Sequence, residues 1–218
     1  IPIAANDMHT EVLRAQVDAS LPLKKNLWQQ TVTAKITNQA MLLERSGLPF
    51  LPLIKWSSEV KSGDNTNLEG RAAAYFWRHL FDENIYFTRD PSMSGINAIL
   101  NYGYAILRSV VARAIVSSGL HPALGIFHKN KYNAFCLADD LMEPYRPFVD
   151  NIVREIWKEN PYWTDLDKEV KIRLLKIPSM DIQISGNTSP LMVGISRTTS
   201  TFVKCLQGKT RKIVFPEF

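Results

Sequence analysis

The sequence predicts an all-α domain of irregular architecture. In most periodic segments apolar residues recur at three- and four-residue intervals, which is the spacing of one face of a helix. Strand-like alternation is confined to residues 181–184, and no unit of 20–50 residues repeats, which excludes a solenoid. The chain has 218 residues, of which 45% are hydrophobic and 22% charged. This composition excludes a disordered or collagen-like protein, and we expect one domain over residues 1–218.

Two helices are predicted at the start of the chain, over residues 7–17 and 23–43. Residues 20–22 (SLP) separate them, since proline lacks the N–H that a helix interior needs. In the second helix apolar residues recur every three to five positions. Residues 46–49 (SGLP) end it, because glycine followed by proline is typical of a helix stop.

A loop rich in Ser, Gly, Asp and Asn over residues 57–67 precedes the next predicted helix, over 68–80. Asp90-Pro91 separates this helix from a long apolar one over 96–117. Glycine and proline within residues 119–125 then interrupt the pattern. The remaining helices are predicted over residues 133–143, 148–158, 165–175 and 189–206.

Positive charge is concentrated near the C-terminus. The net charge is +5, and residues 168–218 carry nine Lys or Arg against three Asp or Glu. Such an excess attracts phosphate, since binding releases counterions from nucleic acid. We therefore expect Lys204, Lys209 and Arg211 to contact nucleic acid. The alternative is that the basic residues of this C-terminal segment, which ends in a basic and then apolar tail over residues 208–218, are merely solvated.

Cysteine usage and hydropathy limit the class of protein. Cys136 and Cys205 are the two cysteines, and neither lies in a CxxC motif. This pattern excludes a disulfide scaffold or a cysteine-based zinc site, and it favours a reducing, cytoplasmic compartment. The sequence has no run of about 18 apolar residues, so no membrane-spanning helix is expected.

Glu69 is the first candidate functional residue. It shares one face of the predicted helix over 68–80 with apolar residues at i+3, i+4, i+7 and i+11, so a carboxylate heads an apolar stripe. The alternative is structural. Asn67 can cap the helix, and an acidic residue in the first turn complements the helix dipole.

Three carboxylates, those of Asp139, Asp140 and Glu143, crowd the end of the predicted helix over 133–143. The negative end of the helix dipole disfavours each by roughly 0.3–1 kcal/mol. Pro144 loosens the same turn because it has no N–H to donate. A bound cation would relieve this repulsion, and a solvated acidic patch is the equally weighted alternative. If Glu143 shares one site with Glu69 and His128, removing any of the three should leave the stability nearly unchanged without metal, since loss of either glutamate relieves repulsion between carboxylates.

His128 ends a short apolar run that begins at Gly125. A lone histidine beside apolar residues is more often a structural residue than a ligand. With several carboxylates, however, it would form a nitrogen and oxygen site suited to Mg²⁺ or Mn²⁺.

Further polar side chains could meet phosphate oxygens. Asn97, Asn101 and Arg108 lie along one stripe of the long predicted helix, and amide and guanidinium donors are typical phosphate contacts. The alternative is that this stripe is simply exposed. Arg146 shares a face with Glu143 if the helical turn persists beyond the intervening proline, which makes it a candidate contact to phosphate.

Four segments resemble, in the same order, the successive motifs of the Cas1 family, the spacer-acquisition integrases of CRISPR systems. Two earlier segments, residues 19–25 (ASLPLKK) and 28–30 (WQQ), resemble the type II branch in particular. The four segments are residues 67–73 (NLEGRAA), 96–104 (INAILNYGY), 119–128 (GLHPALGIFH) and 137–147 (LADDLMEPYRP).

The resemblance implies a site and a fold. By motif, the catalytic metal ligands of the family fall on Glu69, His128 and Glu143, and an additional family acid falls on Asp140. The implied cofactor is Mg²⁺ or Mn²⁺. The implied fold is the helical catalytic domain of the family. The family's N-terminal β-domain is expected to be missing here, and residues 1–6 are expected to be the remnant of the link to it.

The resemblance also implies a reaction and partners. The family inserts prespacer DNA into the CRISPR repeat by attack of a DNA 3′-hydroxyl on a phosphodiester, and it works with Cas2 and other type II CRISPR proteins. Full-length members form homodimers, whereas this chain alone is expected to be a monomer, with no membrane association. The alternative function is a non-catalytic helical DNA-binding module whose C-terminal basic residues contact phosphates.

Overall fold

The structure, a computed structural model, describes residues 7–81, 87–160 and 166–218, and helices dominate all three stretches. The predicted all-α class is confirmed. The expectation for residues 1–6 lies outside the described residues. The helices of the described chain are α1 (Asp7–Val17), α2 (Leu21–Arg45), α3 (Leu51–Glu59), α4 (Leu68–Leu80), α5 (Ile96–Ser117), α6 (Cys136–Met142), α7 (Arg146–Glu159), α8 (Lys168–Leu174) and α9 (Leu191–Leu206).

Two long helices organise the core. α2 packs against α3, α4 and α7, and α5 packs against α6, α7, α8 and α9. By length and composition alone, α5 is long and apolar enough to cross a membrane. In this fold it lies at the centre of the domain, where Leu100, Leu107 and Ile115 are fully buried.

Short 3₁₀ turns join several helices. One spans Ser62–Asp64 before α4, another spans Glu143–Tyr145 between α6 and α7, and a third spans Ile177–Ser179 after α8. The second turn carries the chain through a proline without breaking the helical course. Arg146 therefore follows Glu143 by one helical turn, as predicted.

A two-stranded antiparallel hairpin precedes α9. The sequence analysis predicted its first strand but not its second. β1 (Asp181–Ile184) is the predicted strand, and β2 (Asn187–Pro190) pairs with it. Ser185 and Gly186 both have positive φ, which is the geometry of a tight two-residue hairpin turn. The predicted start of the last helix at Ser189 is therefore wrong, since that residue belongs to β2.

The sequence analysis also missed α3. Its second residue is Pro52, which the first turn of a helix tolerates because the N–H there has no intrahelical partner. The predicted loop over residues 57–67 begins inside this helix. Its remainder holds the 3₁₀ turn that leads into α4.

Residues 208–218 pack back onto the domain. Ile213 is buried, and the N–H of Glu217 donates to the carbonyl of Gln183 at 2.8 Å. Asn38 on α2 clamps the end of this segment. Its amide donates to the carbonyls of Pro216 and Pro144, and its oxygen accepts from the N–H of Phe218. The segment is thereby tied to the turn that carries Glu143.

Candidate metal centre

Glu69 is positioned by a doubly capped helix start. Asn67, at φ 52°, is the N-cap of α4 and accepts from the N–H of Gly70, as the structural alternative predicted. The buried carboxylate of Asp64 accepts from the N–H groups of Leu68 and Glu69, each at 2.9 Å. The backbone of the first turn is thus satisfied without the side chain of Glu69, which is left to point at another partner.

Glu143 is buried between two basic side chains. It is 5% exposed, and Nη1 of Arg146 donates to its Oε1 at 2.8 Å. Its Oε2 is in contact with Nζ of Lys35. Asp140, on the preceding turn, is completely buried. For these two acids the solvated-patch alternative is therefore wrong.

Lys35 joins the two candidate carboxylates. It lies in the middle of α2, is 7% exposed, and donates from Nζ to Oε1 of Glu69 at 2.7 Å while it also contacts Glu143. The sequence analysis missed this residue. The available signal was its position in α2, three residues after Val32 and seven after Trp28, on the buried stripe of the helix. A lysine on such a stripe needs an anionic partner.

The ionisation of this cluster follows from its charges. Burial works against ionisation of Glu143, but Arg146 and Lys35 outweigh it and lower the pKa of Glu143 to about 2. Burial likewise opposes the charge on Lys35, and the neighbouring carboxylates Glu143 and Glu69 nevertheless raise the pKa of Lys35. Glu143 and Lys35 are therefore both charged near neutral pH.

His128 is held by Asp140. Oδ2 of Asp140 accepts from the N–H groups of Ile126 and Phe127, and Oδ1 accepts from the N–H of His128 and lies 2.6 Å from its Nδ1. A histidine bound in this way through Nδ1 presents Nε2 to other ligands. The hydrogen bond to Asp140 raises the pKa of His128, against the effect of partial burial, and Glu143 and Glu69 add to the rise.

Gly125 makes this loop possible. A β-carbon on Gly125 would lie 2.4 Å from the carbonyl oxygen of His128 and 2.8 Å from Oδ2 of Asp140. The loop can therefore close over the carboxylate only without a side chain at this position. Asp139 faces elsewhere, where it accepts from Arg108 and Asn133.

The predicted triad is only partly assembled. Within the part of the chain that the structure describes, no three carboxylate, imidazole or thiol groups converge closely enough to hold one ion. Glu69 and Glu143 do converge, and the ammonium of Lys35 contacts both carboxylates. Two carboxylates and an imidazole are a donor set that suits Mg²⁺ or Mn²⁺, so the residues present fit such an ion.

The polar stripe on α5 is largely committed to the protein itself. Asn97 is buried, accepts from Arg89 and donates to the carbonyl of Thr88. Asn101 also accepts from Arg89 and donates to the carbonyl of Pro91. The expectation of an exposed stripe is therefore wrong for Asn97, whose amide faces the segment before α5. Arg108, paired with Asp139, remains half-exposed.

The basic residues that line a groove beside His128 differ from those predicted. A cavity of about 330 Å³ adjoins His128, and Lys24, Lys129 and Lys131 lie around it. Lys204 and Lys209 instead line a cavity between α1 and α9. Arg211 lines a larger cavity, about 920 Å³, between α2 and the C-terminal segment.

Comparison with known proteins agrees with the motif resemblance. The family model described as CRISPR associated protein Cas1 matches residues 53–171. The CRISPR-associated endonuclease Cas1 of Neisseria meningitidis serogroup C is 37% identical over 97% of this chain, and the match covers 69% of that protein. A Cas1 endonuclease of Thermus thermophilus is 35% identical over 67% of this chain and 49% of its own length.

Solved structures share the fold. A casposase bound to integration product superposes with a TM-score of 0.77 at 20% identity, over 94% of this chain and 71% of that one. A chain of a partial Cas6-RT-Cas1–Cas2 complex gives 0.78 at 19% identity, over 97% and 75%. The family match covers more than half of the chain, and the Neisseria relative covers nearly all of it. The chain therefore belongs to the Cas1 family of CRISPR-associated proteins.

Proposed function

We propose that this protein is a metal-dependent DNA endonuclease and integrase of CRISPR adaptation. The observation that carries the proposal is the convergence of Glu69 and Glu143, from two distant segments, on the buried ammonium of Lys35. Buried like charges repel strongly unless a cation lies between them. Two carboxylates that converge in this way are therefore typical of a site that binds a cation.

Glu69, Glu143 and His128 would hold the ion, which supplies neutralisation of phosphate charge and a lowered pKa for an attacking hydroxyl. The lowered pKa of Glu143 keeps that carboxylate ionised and able to bind a cation. The imidazole of His128, oriented by Asp140, offers Nε2. Asp140 itself has both oxygens occupied by the loop, and we assign it a positioning role in place of a possible ligand.

The remaining residues serve binding and orientation. Arg146 keeps one oxygen of Glu143 fixed, and its guanidinium lies 4.2 Å from the ring centre of Tyr104. Lys24, Lys129 and Lys131 offer ammonium groups to a DNA backbone next to His128. Phosphoryl transfer depends on positioning and charge stabilisation, and the attacking group is a DNA 3′-hydroxyl. No nucleophilic side chain is needed.

The relatives support the substrate and the partner. The casposase structure contains an integration product, and another matching chain belongs to a complex with Cas2. We extend to this chain a DNA substrate and a Cas2-type partner. Because it spans 69% of the Neisseria relative, the activity of the complete assembly is part of the proposal.

The test is strand transfer of a labelled DNA duplex with a free 3′-hydroxyl into a CRISPR repeat, with a Cas2 partner present. We expect product only with Mn²⁺ or Mg²⁺, and loss of product in Glu69→Gln, His128→Ala and Glu143→Gln. Asp181→Asn, which removes an exposed carboxylate on β1, is the matched control and should retain activity. DNA binding without metal-dependent product in the wild type would favour the non-catalytic module.

A further inference from the structure

Lys35 has a place in the site that the metal-ligand assignment leaves unexplained. A buried ammonium is costly unless anions surround it. Among the described residues its anionic partners are Glu69 and Glu143. The same two carboxylates are the proposed ligands of the metal, so the ammonium and the ion would share them.

The two carboxylate oxygens of Glu143 have different partners. Its Oε1 accepts from Arg146, and its Oε2 faces Lys35. Arg146 is therefore free to stay in place when a metal binds to the other oxygen. Lys35 cannot stay in place when a metal binds, because a dication and an ammonium that share both carboxylates would repel each other.

The helix that carries Lys35 allows the exchange. α2 is a 25-residue helix with Trp28, Val32 and Ile36 buried, so its backbone is fixed. The ammonium itself is a point charge on a flexible four-carbon stem, which can withdraw without any change in the helix.

We propose that Lys35 is a built-in counter-cation of the metal centre: it holds Glu69 and Glu143 together in the metal-free protein and competes with the metal for them. The inference rests on the proposed function, since it takes those two carboxylates as metal ligands. It assigns to Lys35 a positioning role and predicts the direction in which the metal affinity changes when the lysine is removed. Removing the lysine strengthens metal binding, whereas a lysine that merely pre-organised the ligands would weaken metal binding when lost.

The experiment is calorimetric titration of the full chain with Mn²⁺ alone, at fixed pH and ionic strength. We expect Lys35→Met to bind Mn²⁺ about tenfold more tightly than the wild type, the size of a typical coupling between two binding events. Lys35→Arg keeps the charge and should bind as weakly as the wild type. Lys25→Met, which removes an exposed lysine from the same helix, is the matched control and should change the affinity less than about twofold.

Lys35→Gln provides a second variant should the methionine variant fold poorly, because it keeps an N–H donor for the carboxylates. It should also bind Mn²⁺ more tightly than the wild type. Equal or weaker binding in the variants that lack the charge would overturn the role of Lys35. Failure of the proposed function looks different. In that case Glu69→Gln would bind Mn²⁺ as tightly as the wild type does, or neither the wild type nor any variant would bind it.

Discussion

Asp140 and His128 form the most heavily bonded pair in the candidate site. Nδ1 of His128 lies 2.6 Å from Oδ1 of Asp140, whose two oxygens also accept three backbone N–H groups from residues 126–128. A single buried carboxylate thus fixes both the loop and the imidazole ring. The position of His128 relative to the two glutamates depends on an acid that the motif resemblance placed merely beside the site.

Replacing Asp140 should therefore destabilise the protein. Asp140→Ala leaves buried N–H groups without an acceptor, and we expect a loss of about 3 kcal/mol or more in the free energy of unfolding, measured by urea denaturation. Asp139→Ala is the matched control. Asp139 is partly exposed, so we expect a loss of about 1 kcal/mol or less. Equal losses in the two variants would contradict the loop-anchoring role.

The ion pairs of Glu143 reverse an expectation from the sequence. Repulsion among acids implied that removing Glu143 would leave the stability nearly unchanged. In the structure Glu143→Gln leaves Lys35 and Arg146 with less compensation, and we expect a loss of about 3 kcal/mol.

A double-mutant cycle with Lys35→Met measures this coupling. The double variant should lose less stability than the sum of the single variants, by about 1 kcal/mol or more. Additive losses would show that Lys35 and Glu143 do not interact in the folded protein.

Asp150 predicts a pH dependence that does not involve the metal. Burial raises the pKa of Asp150 to about 7, and the hydroxyl of Tyr104 donates to its carboxylate. In the unfolded chain this carboxyl ionises near its ordinary pKa of 3.8. The unfolded state therefore releases the proton first, so the contribution to stability is full below about pH 4 and is lost as the pH rises to about 7.

The variant Asp150→Asn removes this titration. Between about pH 5 and pH 8 the wild type should lose on the order of 2 kcal/mol more than the variant, measured by urea denaturation at both values. The same pH dependence in both proteins would show that Asp150 ionises normally in the folded state.

DNA binding should depend on the groove beside His128. Each phosphate contact contributes roughly 0.9 to the slope of log affinity against log salt concentration. The triple change Lys24→Gln, Lys129→Gln and Lys131→Gln should lower that slope by about 2. The measurement is fluorescence anisotropy with a labelled duplex between about 50 and 200 mM salt.

The residues predicted from the C-terminal charge excess are the comparison set. Lys204→Gln, Lys209→Gln and Arg211→Gln together remove as many charges but lie along other cavities. We expect a smaller change in slope. A larger change in this set would place the DNA path along the C-terminal segment.

Where local pattern and packing agree, the sequence was sufficient. The bounds of α4 and α5 match the prediction because each has a clear breaker before it and strong apolar periodicity within it. The sequence could not predict β2, since its few residues pair only after the turn at Ser185 and Gly186 has formed. The same limit applies to Lys35, whose partners lie on α4 and the turn after α6 and meet it through tertiary packing alone.

The central claim is that Glu69, His128 and Glu143 hold one divalent ion. The most direct measurement is anomalous diffraction from crystals of the protein soaked in Mn²⁺. We predict a single strong peak at coordination distance from a carboxylate oxygen of Glu69, a carboxylate oxygen of Glu143 and Nε2 of His128, with the ammonium of Lys35 withdrawn. A peak at another set of acids, or none at these residues with Mn²⁺ in excess, would contradict the account.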